Sequence, residues 1–228
     1  MGRKAILAGA SGLIGSNLLQ QLLNSRHYSE VLILVRKQLP ITHPKLKQLV
    51  VDFEQLSHYA ADIKGDVVFC CLGTTKKQTP DQAAYRKIDY QYPLDIAWIA
   101  QTNGAESYHL VSSIGANKNS SVFYTRTKGE VESDLKAVPF KSIFIYRPSF
   151  LIGNRKNNPF FLTFLGKTLT FINPLFIGSF RKWRTIRAEV VAKAMLISSL
   201  NHQREIFMYE SDEIQRIGGK AQSGANTD

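Results

Sequence analysis

Lys4-Ala5-Ile6-Leu7-Ala8-Gly9-Ala10-Ser11-Gly12-Leu13-Ile14-Gly15 is a short apolar run that stops at three glycines spaced G-x-x-G-x-x-G. Leu18, Leu19, Leu22 and Leu23 follow at helical spacing. The stretch therefore reads as strand, glycine turn and helix start. Glycine lets a backbone turn sharply and approach a ligand with no Cβ in the way. The free amides and positive end of the following helix suit a diphosphate. Gly9, Ser11, Gly12, Leu13, Ile14 and Gly15 are thus candidates to hold a dinucleotide. The spacing differs from the G-x-G-x-x-G of ordinary dinucleotide-binding dehydrogenases, so the flanking strand and helix carry the reading as much as the glycines do. A purely structural turn is the alternative.

Further along, the pattern repeats strand and helix. Strands are expected at Glu30–Val35, Gln48–Phe53, Asp66–Leu72, Tyr108–Ser113, Ser142–Tyr146 and near Ile206–Tyr209. Helices are expected at Asp81–Asn103, Tyr124–Lys136 and Arg187–Leu200. Continuous apolar strands such as Asp66–Leu72 belong in the middle of a parallel sheet. Strands alternating with helices imply an α/β fold, a doubly wound parallel sheet with right-handed crossovers. At 228 residues the chain is long enough for one such domain and too short for two. That domain is expected over 1–216, with a small C-terminal lid or substrate portion at about 148–188 and a frayed polar tail at 217–228.

The apolar run after Met1 is too short for a signal peptide before the glycines begin. The two cysteines, Cys70 and Cys71, are adjacent in an apolar run and read as buried strand thiols, which fits a reducing cytoplasm. The five histidines, His27, His43, His58, His109 and His202, lack metal-ligand spacing, so no metal is expected. Net charge is +11, which favours anionic partners.

At the end of the second strand, where NAD-selective folds place an acid on the ribose 2′-hydroxyl, the chain has Arg36 and Lys37. An arginine can grip a 2′-phosphate through paired charge-assisted hydrogen bonds, so NADP(H) is favoured, with NAD as the other candidate. A solvated basic pair is the structural alternative. Asp52-Phe53, ending the third strand, could meet the adenine; a turn-starting Asp would look the same. Leu72-Gly73-Thr74 falls at the carboxyl edge of the fourth strand, where ligands of such sheets collect. Gly73 would let the main chain run close to a cofactor and Thr74 could reach a phosphate or ribose.

Ser112-Ser113 ends the fifth strand, and Tyr124 and Lys128 then stand four residues apart on one helix face. A phenol with an ordinary pKa of about 10 is a poor proton donor and acceptor at neutral pH, and an adjacent ammonium stabilises its phenolate. The same lysine can hold the nicotinamide ribose, which makes Tyr124 and Lys128 cofactor-binding candidates as well. A serine hydroxyl from the neighbouring strand end could hold the substrate oxygen. Y-x-x-x-K alone is common, and its weight comes from the order of motifs: glycine turn, fourth-strand glycine, strand-end serines, Tyr and Lys.

GASGLIG, LVRK, VVDF, CCLGTT, LVSSIGANKNS, YTRTKGEVE and YRPSFLIG together resemble the atypical short-chain dehydrogenase/reductases. They are most like the branch related to the human Tat-interacting oxidoreductase-like protein. The resemblance runs from about Lys4 to Leu200. It implies a Rossmann fold binding NADP(H), with Ser113, Tyr124 and Lys128 as the family triad. It also implies that Arg147, Pro148 and Ser149 line the nicotinamide end of the cleft. Many active relatives carry a relay asparagine in the helix after the fourth strand; its counterpart here is Asp89, with no substitute for the amide. Members of the branch are also cofactor-binding regulators, so a weakly catalytic NADP(H) sensor is the alternative to an oxidoreductase acting on a small carbonyl or hydroxyl compound.

From Arg147 to Ala188 the basic residues Arg147, Arg155, Lys156, Lys167, Arg181, Lys182, Arg184 and Arg187 meet no Asp or Glu. Phe150, Phe160, Phe161, Phe164, Phe171, Phe176, Phe180 and Trp183 are interleaved with them. Packing with a lid role, over a small-molecule substrate that could be anionic, ranks first. Membrane-surface contact ranks second, and nucleic acid is not expected, because no recognition module is present. Lys167, Asn173 and Pro174 interrupt the window and argue against a membrane span. Monomer and homodimer both stay open.

Overall fold

The computed structural model describes residues 2–153, 184–201 and 203–219. In chain order the elements are β1 (Arg3–Ala8), α1 (Leu13–Asn24), β2 (Tyr28–Val35), β3 (Leu46–Val50), β4 (Val67–Cys70), α2 (Gln82–Arg86) and α3 (Tyr92–Thr102). There follow β5 (Ser107–Val111), α4 (Phe123–Leu135), β6 (Ser142–Arg147), β7 (Leu151–Ile152), β8 (Ile186–Arg187), α5 (Ala188–Ser198), β9 (Ile206–Glu210) and α6 (Ser211–Gly218). The strands form a seven-stranded parallel sheet in the order β3-β2-β1-β4-β5-β6-β9, and β7 and β8 pair separately. This is the expected doubly wound α/β architecture. The order reverses between β1 and β4, so the crevice beyond their carboxyl ends is where such sheets take a ligand.

Two apolar layers explain why the central strands read as unbroken hydrophobic runs. Side chains alternate across a strand. Ala5, Leu7, Ile33, Val67, Phe69 and Phe144 point to one face, where α1 and α5 cover them with Leu18, Leu22, Val191 and Met195. Ile6, Ala8, Leu34, Val68, Cys70 and Leu110 point to the other, covered by Ile96 and Ala97 of α3 and Val131 and Leu135 of α4. Buried on both sides, these strands need apolar residues at every position.

Three boundaries differ from the sequence reading. The third strand ends at Val50 because the Asp52 carboxylate accepts a hydrogen bond from the Glu54 amide at 2.9 Å and turns the chain into a 3₁₀ stretch, Phe53–Tyr59. The helical pattern over Asp81–Asn103 is divided by a π-turn, Lys87–Gln91, between α2 and α3. Helix α6 was not expected; Glu210 and Glu213 start it with a reciprocal capping box. Residues 154–183 of the basic aromatic window, His202 and the tail from 220 on lie outside the described residues.

Candidate active site

At the carboxyl end of β1, Gly9 takes a left-handed φ of 84°. A Cβ there would stand 2.5 Å from the Cys71 carbonyl oxygen, so the turn presses directly on the end of β4. A Cβ on Gly15 would fall 2.1 Å from the Gly9 carbonyl oxygen, because α1 packs against the turn it leaves. Gly12 differs. It is the extended N-cap of α1, and a Cβ on it would lie 3.2 Å from the Gly9 oxygen, a tight contact that a small shift relieves. No side chain caps α1, and its first turn holds no acid. The amides of Leu13, Ile14 and Gly15 have no acceptor within the helix by its geometry, and a helix end of this kind can accept an anion from outside. The Ile14 side chain points into the core and Ser11 is exposed.

Arg36 and Lys37 are exposed just past β2 and make none of the ion pairs among the described residues. One Asp52 oxygen is used in starting its turn. Phe53 is buried, its ring 5.4 Å from that of Tyr92. After β4, a Cβ on Gly73 would make only ordinary contacts, 3.5 Å to Asp89 Oδ1 and 3.8 Å to Lys128 Nζ, so nothing within the protein demands glycine there. Thr74 is held at three atoms. Its amide donates to Asp89 Oδ2 at 2.8 Å, its hydroxyl shares a hydrogen bond with Thr79 at 2.8 Å, and its carbonyl accepts from the Tyr85 hydroxyl at 3.1 Å. Leu72 is half-buried beside it.

Helix α4 carries Tyr124 and Lys128 one turn apart. The loop after β5 is clamped onto this helix. The Asn117 amide donates to the Thr125 carbonyl at 2.9 Å, and only glycine fits at 129, where a Cβ would be 2.1 Å from the Lys118 nitrogen. The two strand-end serines separate here. Ser112 donates to Glu132 Oε1 at 2.5 Å, inside a buried cluster in which Arg147 Nε reaches the same oxygen at 3.0 Å. The Ser113 hydroxyl donates to the Ile114 carbonyl at 3.1 Å.

Lys128 Nζ lies 2.8 Å from Asp89 Oδ1, with 6% and 1% of the two side chains exposed. Burial pulls the ammonium pKa down; the Asp89 carboxylate and then Tyr124 push it up, and the net result lies above the ordinary lysine value. Lys128 therefore stays charged at neutral pH. Sequence reasoning treated Asp89 as an absent amide and missed its work as a buried carboxylate that fixes both Lys128 and the Thr74 corner. The available signal was an acid among the apolar residues of a helical pattern, in a protein whose Lys128 needs a counter-charge.

Arg147, Pro148 and Ser149 are bound into the protein itself. The Arg147 guanidinium meets Glu132 at 2.5 Å and Glu210 at 3.6 Å, the Pro148 carbonyl accepts from the Ile114 amide at 3.0 Å, and the Ser149 amide donates to the Ser211 hydroxyl at 2.6 Å. A cavity of about 480 Å³ opens beside Tyr124, which lines it with Thr74, Thr75, Tyr85, Val122 and Phe123 among others; Ser113 and Lys128 are not in its lining. Tyr124 is 41% exposed. His109 is wholly buried within β5. Among the described residues no group of three or more His, Cys, Asp or Glu is placed to hold a metal ion, and no helix is long and apolar enough to cross a membrane.

A family model described as NAD(P)H-binding matches residues 9–150. Protein HTATIP2 of Rattus norvegicus is 36% identical over 160 residues, 68% of this chain and 66% of the rat protein; the match thus covers just under two thirds of that relative. "Protein FMP52, mitochondrial" of Meyerozyma guilliermondii is 32% identical over 204 residues, 86% of this chain and 85% of the yeast protein. Among solved structures, the Bordetella bronchiseptica enzyme WbmH in complex with NAD+ superposes with a TM-score of 0.70 at 12% identity, covering 96% of this chain and 80% of that one. The UDP-glucose 4-epimerase of Thermotoga maritima gives 0.67 at 14% identity, covering 95% and 82%. These two likenesses show the fold.

The expected cytoplasmic location is overturned, because relatives from several yeasts, Saccharomyces cerevisiae included, are named as mitochondrial proteins. The thiols could not have decided it. Cys70 and Cys71 are free, burial pushes both thiols up in pKa, and inert thiols of this kind do not distinguish one compartment from another. The glycine turn at the switch point, the Tyr–Lys pair on α4 and the matches across them lead to one assignment: the chain belongs to the NAD(P)H-binding, Rossmann-fold family of atypical short-chain dehydrogenase/reductases.

Proposed function

We propose that the protein is an NADP(H)-dependent oxidoreductase acting on a small carbonyl or hydroxyl compound. The observation that carries this reading is Tyr124 on the wall of a cavity that also reaches the Thr74 corner, with a charged Lys128 one turn further along α4. A nicotinamide dinucleotide fits the residues present. The uncapped start of α1, with no acid in its first turn, suits the pyrophosphate, and at Gly73, which carries no Cβ, the main chain could lie close to the cofactor. Arg36 and Lys37 would meet the 2′-phosphate of NADP(H). When bound, the nicotinamide supplies or accepts the hydride.

The chain's own residues handle the proton. In the reducing direction the Tyr124 hydroxyl gives its proton to the carbonyl oxygen, and Ser113 donates a hydrogen bond to that oxygen. Lys128 places a positive charge beside the phenolate left behind. Asp89 holds that charge in place, so Lys128 acts as a fixed cation and not as a carrier of protons. Tyr124 is exposed to water, a proton route that would stand in for the relay amide that Asp89 replaces. That replacement is also what favours the second reading, a cofactor sensor with little turnover.

An assay of NADPH oxidation over a panel of aldehydes and ketones separates the two. The oxidoreductase reading expects turnover that falls by roughly a hundredfold or more in Tyr124→Phe, the scale of general acid–base catalysis, while NADPH still quenches tryptophan fluorescence. NADPH binding with no turnover of any carbonyl would favour the sensor. In the same assay Arg36→Ala should narrow the preference for NADPH over NADH; an unaltered ratio excludes Arg36 as the selector.

A further inference from the structure

The cavity beside Tyr124 has an apolar side and a single cation. Val122 is 58% exposed, an apolar side chain turned towards open space at the start of α4. Tyr85 and Phe123 meet edge to face across the wall, with ring centroids 5.5 Å apart at 73°. Pro80 extends this surface. Among the ten lining residues Lys76 is the one with a formal charge, and no carboxylate faces it there. Lys76 joins none of the ion pairs among the described residues, whereas Lys87 and Lys128 each pair with a carboxylate.

The segment that carries Lys76 is closed on itself. Thr74 and Thr79 share a hydroxyl–hydroxyl hydrogen bond of 2.8 Å. The amides of Gln78 and Thr79 both donate to the Thr75 carbonyl at 2.9 Å. The corner is tied down from outside by Asp89 and Tyr85 through Thr74. Lys76 thus projects from a turn that is already ordered, and a ligand meeting it need not bear the entropy of fixing the loop. The volume of about 480 Å³ lies towards the lower end of the roughly 300–1,000 Å³ typical of small-molecule sites. A ligand with one ring or a short chain suits that space.

We infer that the substrate of this site is a carbonyl compound with a flat or short apolar body and an anionic end group, the body lying on Tyr85, Phe123 and Val122 and the anion meeting Lys76. The inference rests on the oxidoreductase reading for its reactive end. There, a bound reduced nicotinamide would supply hydride to the carbonyl carbon as the C=O π bond opens, and the Tyr124 proton would go to the oxygen. The carbonyl is reduced to an alcohol, the cofactor is oxidised, and a proton from water restores Tyr124. A cationic end group is disfavoured by Lys76 and finds no carboxylate on the cavity wall.

The test uses the full chain with NADPH and three matched aldehydes: 4-carboxybenzaldehyde, its uncharged methyl ester and a trimethylammonium analogue. The expected order of kcat/KM is acid, ester, cation, with the acid favoured over the ester by roughly fivefold, the upper range for an exposed ion pair. Lys76→Ala should bring the acid-to-ester ratio near one. Lys77→Ala, which removes the adjacent lysine outside the cavity lining, should leave that ratio as it was. Calorimetry of 4-(hydroxymethyl)benzoate on the NADP+-saturated protein gives a readout that needs no turnover. If this carboxylate binds in a Lys76-dependent way while no aldehyde oxidises NADPH, the anion site stands and the oxidoreductase reading fails. If all three aldehydes react without preference, or Lys77→Ala erases the preference as fully as Lys76→Ala, the anion site is overturned and the oxidoreductase reading survives. Neither binding nor turnover removes both.

Discussion

Lys128 keeps its charge in a place where its side chain is almost sealed from water, and one carboxylate 2.8 Å away makes that possible. Removing one partner of such a pair leaves the other charge buried without compensation, at a cost of about 3–5 kcal/mol. Asp89→Ala is therefore expected to lower the unfolding free energy in urea by that amount, and a loss under about 1 kcal/mol would mean that the pair is wet and weak. The pH behaviour follows from the direction of the shift. A lysine held above its unfolded value contributes fully below that value and loses its contribution only as pH rises through the folded one, so the pair is intact throughout the neutral range. Asp89→Asn keeps an oxygen for the Thr74 amide but drops the charge; burial then pulls Lys128 down, and the alkaline limb of any turnover profile should move to lower pH. The sequence order placed Ser113, Tyr124 and Lys128 on the neighbouring elements where they stand. Of Asp89 it carried only the bare signal of an acid inside a helical pattern, because the contact with Lys128 depends on a π-turn that carries the acid inward. Nor could it reveal that Ser112 donates to Glu132, which also takes Arg147, since the three residues stand far apart in the chain.

At the scale of elements, the glycine turn and α1 show which positions serve the protein and which are open to serve a ligand. Gly15 and Gly9 are required by packing, since a Cβ would strike backbone at 2.1 Å and 2.5 Å. Gly12 sits in an extended conformation that any residue adopts, and its nearest backbone neighbour is 3.2 Å away. Gly12→Ala is expected to change the melting free energy by no more than about 1 kcal/mol while, on the proposed diphosphate site, weakening NADPH binding severalfold, because the methyl narrows the turn between Gly9 and α1. Gly15→Ala should lose stability and binding together. Thermal melts and a fluorescence titration on both variants give the comparison, and unchanged NADPH affinity in Gly12→Ala would remove the diphosphate from this turn. The same turn was the most legible element in the sequence, because strand, glycines and amphipathic helix signal independently. The edge strand β3 was less so: half-exposed, it lacks the unbroken apolar run of a central strand, and the Asp52 turn cuts it short. Helix α6 carried its own signal in Glu210-Ser211-Asp212-Glu213, whose ends make the capping box.

Across the whole molecule, the sheet order brings together residues that no local pattern associates. Phe69, His109, Phe144 and Phe207 are aligned neighbours on β4, β5, β6 and β9, all on the face covered by α1 and α5. Their rings form a row, with centroids 4.8 Å, 4.3 Å and 4.8 Å apart, and His109 lies nearly parallel to Phe144. The imidazole is 0% exposed, with Nδ1 3.0 Å from the Tyr146 hydroxyl and Nε2 lacking a hydrogen-bond partner among the described residues. Burial first, and then the Arg3 guanidinium, hold its pKa well below the ordinary histidine value. The unfolded chain takes up a proton on this ring as pH falls through about 6.5, and the folded chain does not until much lower pH. Unfolding thus binds a proton in that window, and stability falls with falling pH by up to about 1.4 kcal/mol per unit from this one group. His109→Phe keeps a flat ring in the row and removes the titration. Urea denaturation at intervals from pH 8 to pH 5 should give a shallower acid limb in the variant than in the wild type, whatever the two stabilities are at pH 8. Equal slopes below pH 6.5 would mean that the ring is protonated in the fold or reached by water, and that the two apolar layers do not seal the centre of the sheet.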